Sequence, residues 1–408
     1  MKVMNALPIV KYTSYGNNFV IVDETQDTLL SECEKSLFAY QATNINYGVG
    51  SDNFLLVQTC SSDVLEDINR ARGYWKSVPE SAQADYVFRM FEPDGAEAFS
   101  CANGLMSVAS YLNHRYKVES ARIMTEIPTH SPKVVHIGSN PADGSSWANI
   151  GFPRRIPAPI ADHSLTTGYD DNIDMIDEIE IAFRKHDLEP FSQGRSLTID
   201  GYLVFTGEPH LVVFVESGFS LPDLGRMAFI SSGRDGLESA LSAGKDEKRV
   251  AFGTWLIDHI GNYLNRKYAH IFPSGINVNF VQQRQHNREL EYRCFERGIY
   301  RETLACGTGA LAVAAVSRKL GLISGQKMTI WPHRCRWHQP AAQMVVTEDV
   351  DGWTISGAPY PLIEGVFVAA ARPGDTKTDP ELETLMSQLT ARSGIQPLMD
   401  ADTTVVRR

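Results

Sequence analysis

The stretch LACGTGALAVAAVSRKL, Leu304 to Leu320, sets one cysteine between small residues, follows it with Gly-Thr-Gly and runs on into an apolar pattern. Ala310, Leu311, Val313, Ala314 and Leu320 fall at helical spacing, which predicts a helix with Cys306 at its mouth. A second stretch, CANGLMSVASYL from Cys101 to Leu112, nearly repeats the arrangement upstream, with Leu105, Met106, Val108, Ala109, Tyr111 and Leu112 at the same period. What precedes each cysteine is also alike. YVFRMF (Tyr86 to Phe91) alternates as a strand, EPDG turns the chain and AEAFS leads to Cys101. LEYRCFERG (Leu290 to Gly298) is a strand that leads through a short loop to Cys306. The chain therefore reads as an internal duplication.

Working outward, NNFVIVD and DNFLLVQT near the N-terminus are further strands, joined through NYGVGSD. GSNPADGSSW, Gly138 to Trp147, has linker composition. The predicted division is residues 1–143 carrying Cys101, 144–355 carrying Cys306, 356–372 returning as a strand to the first domain, and a tail 373–408 with little to pack. Ser61 to Asp85, Asp170 to Phe191 and Ser231 to Arg249 read as loosely held insertions.

The composition narrows the functional class. The chain has 408 residues, 43% hydrophobic and 21% charged, which suits a large buried core divided between two domains. Its formal net charge of -11, with Lys and Arg scattered, argues against nucleic acid and anionic membranes as partners. No apolar run is long enough to span a bilayer, and the first residues lack a signal-peptide pattern, so the expected location is the cytoplasm. Six cysteines without a C-x-x-C pair exclude a disulfide scaffold and argue against structural zinc.

Two thiols at two helix mouths suggest a particular chemistry. A helix N-terminus carries unpaired N–H groups and a positive dipole end, which favour a thiolate. The same N–H groups, on Ala102, Asn103 and Gly104 and on Gly307, Thr308 and Gly309, could grip one carboxylate between the two helix ends. With the cysteines on opposite sides of that clamp, one removes a proton from the adjacent carbon and the other delivers one to the opposite face, inverting the configuration. A lone buried cysteine is more often a small hydrophobe, but two C-x-x-G segments each opening a small-residue helix are hard to explain as core packing. A cysteine hydrolase pairing Cys306 with His210 or His333 leaves Cys101 without a role. A non-catalytic amino-acid-binding protein remains a third class.

At these residues the chain resembles the diaminopimelate epimerase family, which carries its two cysteines in C-G-N-G and A-C-G-T-G motifs. YGNNFVIVD, GVGSDNFLLV, FEPDGAEAFSCANG, TGEPHLVVFV, FPSGINVNFV and FERGIYRETLACGTGA resemble successive family segments in order, from about Lys11 to Val368. The resemblance implies an α/β (α+β) fold of two pseudo-symmetric domains, each a curled, mostly antiparallel sheet around a central helix, with the site in the cleft between them. It implies a cofactor-independent amino-acid racemase or epimerase, using neither pyridoxal phosphate nor metal, whose partner is a small amino-acid substrate; a homodimer is also expected. Carried over by position, Cys101 and Cys306 are the two bases, and Ala102, Asn103, Gly307 and Thr308 bind the reacting carboxylate. Glu296 and His210 hold the reacting ammonium group. Asn17, Asn277 and Arg297 hold the far end of the substrate, and Asn53 joins the substrate-binding set.

The chain departs from the family where the distal end of the substrate would lie. Two family asparagines are acidic here, Glu92 in FEPDG and Glu208 in GEPH. Asparagine donates and accepts, whereas an ionised glutamate only accepts, so these changes disfavour a distal carboxylate and favour a distal cation such as that of lysine, ornithine or arginine. Diaminopimelate itself is the alternative substrate. Ala102 also replaces the first-motif glycine, and Glu296 lies one residue farther from its cysteine than in the family.

Overall fold

The structure, a computed structural model, describes residues 6–158, 160–183, 196–230, 246–284, 289–339 and 342–368. The predicted tail and most of the 231–249 insertion lie outside the described residues, as does the end of the 170–191 insertion.

The first half runs β1 (Leu7–Ser14), β2 (Asn17–Glu24), α1 (Glu32–Ala42), β3 (Asn53–Thr59), α2 (Ser62–Arg72), β4 (Tyr86–Phe91), β5 (Glu97–Ala98), α3 (Ala102–Tyr116), β6 (Ser120–Thr125), β7 (Lys133–Asn140) and β8 (Ser145–Asn149). The second opens with β9 (Thr167–Gly168) and β10 (Asp174–Ile181) and repeats the sequence of elements. It continues with β11 (Leu197–Phe205), β12 (Pro209–Phe214), α4 (Pro222–Ala228), α5 (Asp246–Lys267), β13 (Asn277–Arg284), β14 (Glu289–Glu296) and β15 (Arg301–Thr303). α6 (Gly307–Lys319), β16 (Lys327–Pro332), α7 (His333–Arg336), β17 (Met344–Asp349), β18 (Gly352–Gly357) and β19 (Tyr360–Phe367) follow.

The pairings repeat with the elements. β2 and β3 are parallel, β3 and β4 antiparallel, β4 and β6 parallel; β12 and β13, β13 and β14, β14 and β16 do the same in turn. β8 pairs with β18 and joins the halves into one sheet system, while β19 returns to pair with β1. The result is a mixed α/β fold of two pseudo-symmetric, mostly antiparallel units around α3 and α6, which are buried along most of their lengths.

Strand alternation explains how one sheet serves two layers. In β3, Leu55 and Val57 pack toward α3 while Phe54 and Leu56 pack with Phe38 and Ala39 of α1. In β12, Val212 joins the α6 side while Leu211 and Val213 join Leu256, Ile257 and Ile260 of α5. Both faces are covered, so β3 and β12 read as continuous apolar runs rather than alternating ones.

Each cysteine is delivered by the same buried ion pair. Arg89 of β4 donates from Nε to Glu97 Oε1 and from Nη2 to Glu97 Oε2, both at 2.7 Å, four residues before Cys101. Arg293 of β14 donates from the same two nitrogens to Glu302 at 2.6 Å, four residues before Cys306. All four side chains are at most 1% exposed. The planar guanidinium therefore fixes the turn that carries each thiol. Among the described residues, Arg89→Ala leaves Glu97 without its ion-pair partner and Arg293→Ala leaves Glu302 with only the longer contact to Arg334 at 3.5 Å, and each is expected to cost about 3–5 kcal/mol of stability, measured by urea unfolding. A loss below about 1 kcal/mol in either variant would put that pair in the class of exposed bridges.

Two expectations are corrected. Ser61 to Asp85 is packed rather than loose: Leu65, Ile68 and Trp75 are buried, and Trp75 Nε1 donates to Ile127 O at 3.2 Å. Its polar, turn-rich composition reflects the outer face of a short amphipathic helix. Gly138 to Trp147 is the β7–β8 hairpin, whose Asn, Pro, Asp and Gly residues form a tight turn that mimics a linker in composition.

Candidate active site

Both cysteines are the N-cap residues of their helices. The Cys101 sulfur accepts from the Gly104 N–H and the Cys306 sulfur from the Gly309 N–H, each at 3.4 Å. A helix leaves its first N–H groups without intrahelical partners. With the third in each helix taken by sulfur, those of Ala102, Asn103, Gly307 and Thr308 remain for a ligand.

The two mouths abut. A Cβ on Gly307 would lie 2.8 Å from Ala102 Cβ and 3.0 Å from Asn103 Oδ1, so only glycine permits this approach. Asn103 Nδ2 donates to Ala305 O at 3.1 Å across the junction. Cys101 and Cys306 line one cleft together with Asn17, Asn53, Glu92, Asn103, Glu208, Asn277, Glu296, Arg297, Gly307 and Thr308, all expected from the sequence, and with Met90, Ser100 and Ile299, which were not. Ala102 is fully buried behind it.

His210 does not reach the cleft lining. It is fully buried, with Nδ1 accepting from Asn279 Nδ2 at 2.9 Å and Nε2 facing Thr308 Oγ1 at 3.0 Å. Burial pushes its pKa down to about 3, so the ring is neutral and Nε2 carries the proton donated to Thr308. The threonine hydroxyl is then left to donate to Cys306, 3.4 Å away. His210 thus acts on the site through Thr308 rather than on an ammonium group directly.

The thiols differ more than their shared position implies. Cys101 Sγ has Asn17 Oδ1 as an acceptor at 3.9 Å, and that amide is held by Asp52, to which Asn17 Nδ2 donates at 2.9 Å. Burial pushes the Cys101 thiol well above its usual value, outweighing the single Gly104 N–H. The Cys294 thiol, its Sγ within 4.8 Å, draws the Cys306 thiol below its usual value against burial, with Thr308 and the Gly309 N–H helping. A shared helix-mouth position does not make the two thiols alike: desolvation wins at Cys101, and donors win at Cys306. Tyr292 further fixes Cys306, its hydroxyl accepting from Cys306 N at 2.9 Å and donating to Cys306 O at 2.8 Å.

The carboxylates divide between paired and unpaired. Glu208 Oε2 accepts from Arg297 Nε at 2.7 Å and also from Nη2, while Glu208 Oε1 faces the Ser100 N–H at 3.4 Å. Arg297 is fully engaged: Nη1 donates to Ser274 O at 2.8 Å, its backbone N–H donates to Asn277 Oδ1 at 2.8 Å, and its guanidinium covers the Phe99 ring at 5.1 Å. Among the described residues, Glu92 accepts from a neutral donor, Asn53 Nδ2, at 2.9 Å. Burial pushes its carboxyl up to about 8, with Arg297 opposing and Glu208 adding. Burial also holds the Glu296 carboxyl well above its usual range, with the charge of Cys306 adding and a hydrogen bond from Thr303 opposing.

Sequence reasoning missed Cys294, Thr303, Asn279 and Tyr292. The duplication held a signal for one of them: R-M-F-E at the end of β4 aligns with R-C-F-E in β14, so Cys294 corresponds to Met90, which lines the cleft, rather than to an ordinary core position.

Comparison with known proteins agrees with this architecture. The sequence pattern of the family described as diaminopimelate epimerase matches residues 263–335. A diaminopimelate epimerase of Methanothrix thermoacetophila is 29% identical over 332 residues, 78% of this chain and 84% of that protein. One from Archaeoglobus fulgidus is 28% identical over 328 residues, 79% of this chain and 85% of that protein. Among solved structures, a hydroxyproline epimerase from Agrobacterium vitis with bound trans-4-hydroxy-L-proline shares the fold with TM-score 0.52 at 12% identity, covering 92% of this chain and 96% of that one. With the paired thiols, the duplicated topology and these relatives together, the chain is similar to the diaminopimelate epimerases and is an isomerase of the racemase and epimerase kind.

Proposed function

We propose that this protein inverts the α-carbon of a free amino acid without a cofactor, and that the amino acid ends in a distal cation. The observation that carries the reading is the pair of N-capping thiols at abutting helix mouths on one cleft. The four free N–H groups of Ala102, Asn103, Gly307 and Thr308 hold the reacting carboxylate, and Glu296 receives the α-ammonium. Cys306 takes the α-proton from one face while Cys101 protonates the other, and the roles exchange for the reverse direction. Holding the carboxylate at two helix ends stabilises the extra charge that builds up as the proton leaves.

The distal cation follows from Arg297 being hydrogen-bonded to Glu208, which leaves Glu92 facing the cleft with no cation hydrogen-bonded to it among the described residues. Diaminopimelate remains the second reading, supported by the names of the relatives. The deciding experiment incubates the protein with single amino acids in deuterated water and follows both α-deuterium incorporation and the appearance of the opposite configuration. Deuterium in an amino acid that also inverts supports the reading. Binding without exchange makes the protein a receptor.

A further inference from the structure

The cleft has a third thiol behind it. Cys294 of β14 is 2% exposed, and its Sγ, a Glu296 oxygen and Cys306 Sγ all lie within 4.8 Å of one another. The duplication shows what is particular to this half. Arg89, Met90 and Phe91 of β4, with Glu92 just after it, stand where Arg293, Cys294, Phe295 and Glu296 of β14 stand, so the thioether that lines the cleft with Cys101 corresponds to a thiol beside Cys306. A thioether has no hydrogen to give.

Counting what points at each sulfur sharpens the contrast. Cys101 receives one N–H, from Gly104, and faces the oxygen of Asn17 as an acceptor for its own hydrogen. Cys306 receives the Gly309 N–H and the Thr308 hydroxyl, whose own lone pair is occupied by His210. Among the described residues the Cys294 thiol donates to the Phe295 carbonyl at 3.7 Å, which carries no charge, and the Cys306 sulfur within 4.8 Å is the alternative acceptor. A thiolate at Cys306 is the stronger acceptor.

We propose that Cys294 is a positioning residue for Cys306: its thiol donates to the Cys306 sulfur and selects Cys306 as the resting thiolate, leaving Cys101 as the resting thiol. The inference rests on the two-thiol reading above. The titratable groups that face Cys306 are Glu296 and Tyr292 on β14, Glu208 ahead of β12 and Cys101 at the mouth of α3, and none of them replaces this donor. Glu208 opposes ionisation by its charge, and Tyr292 is spent on the Cys306 backbone.

The test reads each cysteine separately. The free protein is alkylated with iodoacetamide across a pH series, and the peptides carrying Cys101, Cys294 and Cys306 are quantified by mass spectrometry. In the parent, Cys306 is expected to react at the lowest pH of the three. Cys294→Val is expected to raise the Cys306 midpoint by about one pH unit, the size of one hydrogen bond to a charged group. Cys294→Ser, which keeps a donor, is expected to restore most of it. The acid limb of kcat/KM should move with the midpoint, equally in both directions, because the ratio of the two directions is fixed by the equilibrium constant. An unchanged Cys306 midpoint in a Cys294→Val protein whose unfolding curve matches the parent overturns the proposal, as does Cys294 alkylating before Cys306. If the valine variant does not fold, Cys294→Ala against Cys294→Ser makes the same comparison. Alkylation needs no substrate, so a protein that inverts no amino acid but shows the Cys306 shift would sink the racemase reading and leave the Cys294 contact standing.

Discussion

Cys101→Ala and Cys306→Ala are each expected to lower inversion by about 10³-fold or more in both directions while leaving the fold intact, since each direction needs one sulfur as base and the other as acid. Their residual chemistry should differ. With Cys101 removed, Cys306 can still take the α-proton from the configuration that presents its hydrogen to that face and return deuterium to the same face. With Cys306 removed, only the opposite configuration can exchange, and more slowly, because Cys101 sits in the environment that disfavours a thiolate. Each variant is therefore expected to label one configuration without inverting it, and the two variants to label opposite ones. This is measured by proton NMR in deuterated water on both pure configurations. Inversion within tenfold of the parent in either variant would rule out the two-thiol scheme, and loss of labelling in both configurations in both variants would leave the cysteines structural.

That asymmetry marks how far the sequence could be read. The helix mouths were legible because an N-cap, small residues and an apolar period lie within one short window, and that window occurs twice. The topology was legible for the same reason, as a repeat of local patterns. What determines the protonation of each thiol is not local. Cys294 is twelve residues before Cys306 on an alternating strand, where a cysteine looks like any small apolar residue. His210 reaches Cys306 only through Thr308, across 98 residues of chain, and its place behind the threonine follows from β12 packing under α6. The Arg89–Glu97 and Arg293–Glu302 pairs look like surface charges in sequence and are buried because α1 and α5 cover them. The two substituted glutamates were visible as departures, but not that one of them would find Arg297, 89 residues away.

The Glu208–Arg297 pair governs the substrate, and the expected result is that lysine, ornithine or arginine is inverted with kcat/KM at least about tenfold above diaminopimelate. A distal carboxylate entering this cleft would have to draw Arg297 away from Glu208 and would meet Glu92 besides, whereas a distal ammonium or guanidinium meets Glu92 directly. Where Glu92 is ionised, above about pH 8, like charges a few ångströms apart interact by about 4 kcal/mol, so tenfold is a conservative share of the difference there. The single variants separate the two glutamates. Glu92→Asn is expected to weaken basic substrates about tenfold or more, and Glu208→Asn to free Arg297 and raise activity on diaminopimelate, with the double variant reversing the preference. A second readout comes from the Glu92 carboxyl, which burial pushes up to about 8. Below that pH it holds a proton, and a distal cation must displace it, so binding at pH 7 should release about one proton, seen by calorimetry in buffers of different ionisation enthalpy. Affinity for a basic amino acid should then rise about tenfold per pH unit up to about pH 8 and level off above it, and Glu92→Asn should flatten the curve. Diaminopimelate outperforming every basic amino acid on the parent protein, with no proton released on binding, would show that the Glu208–Arg297 pair opens for a distal carboxylate and that the cleft serves the same substrate as its relatives.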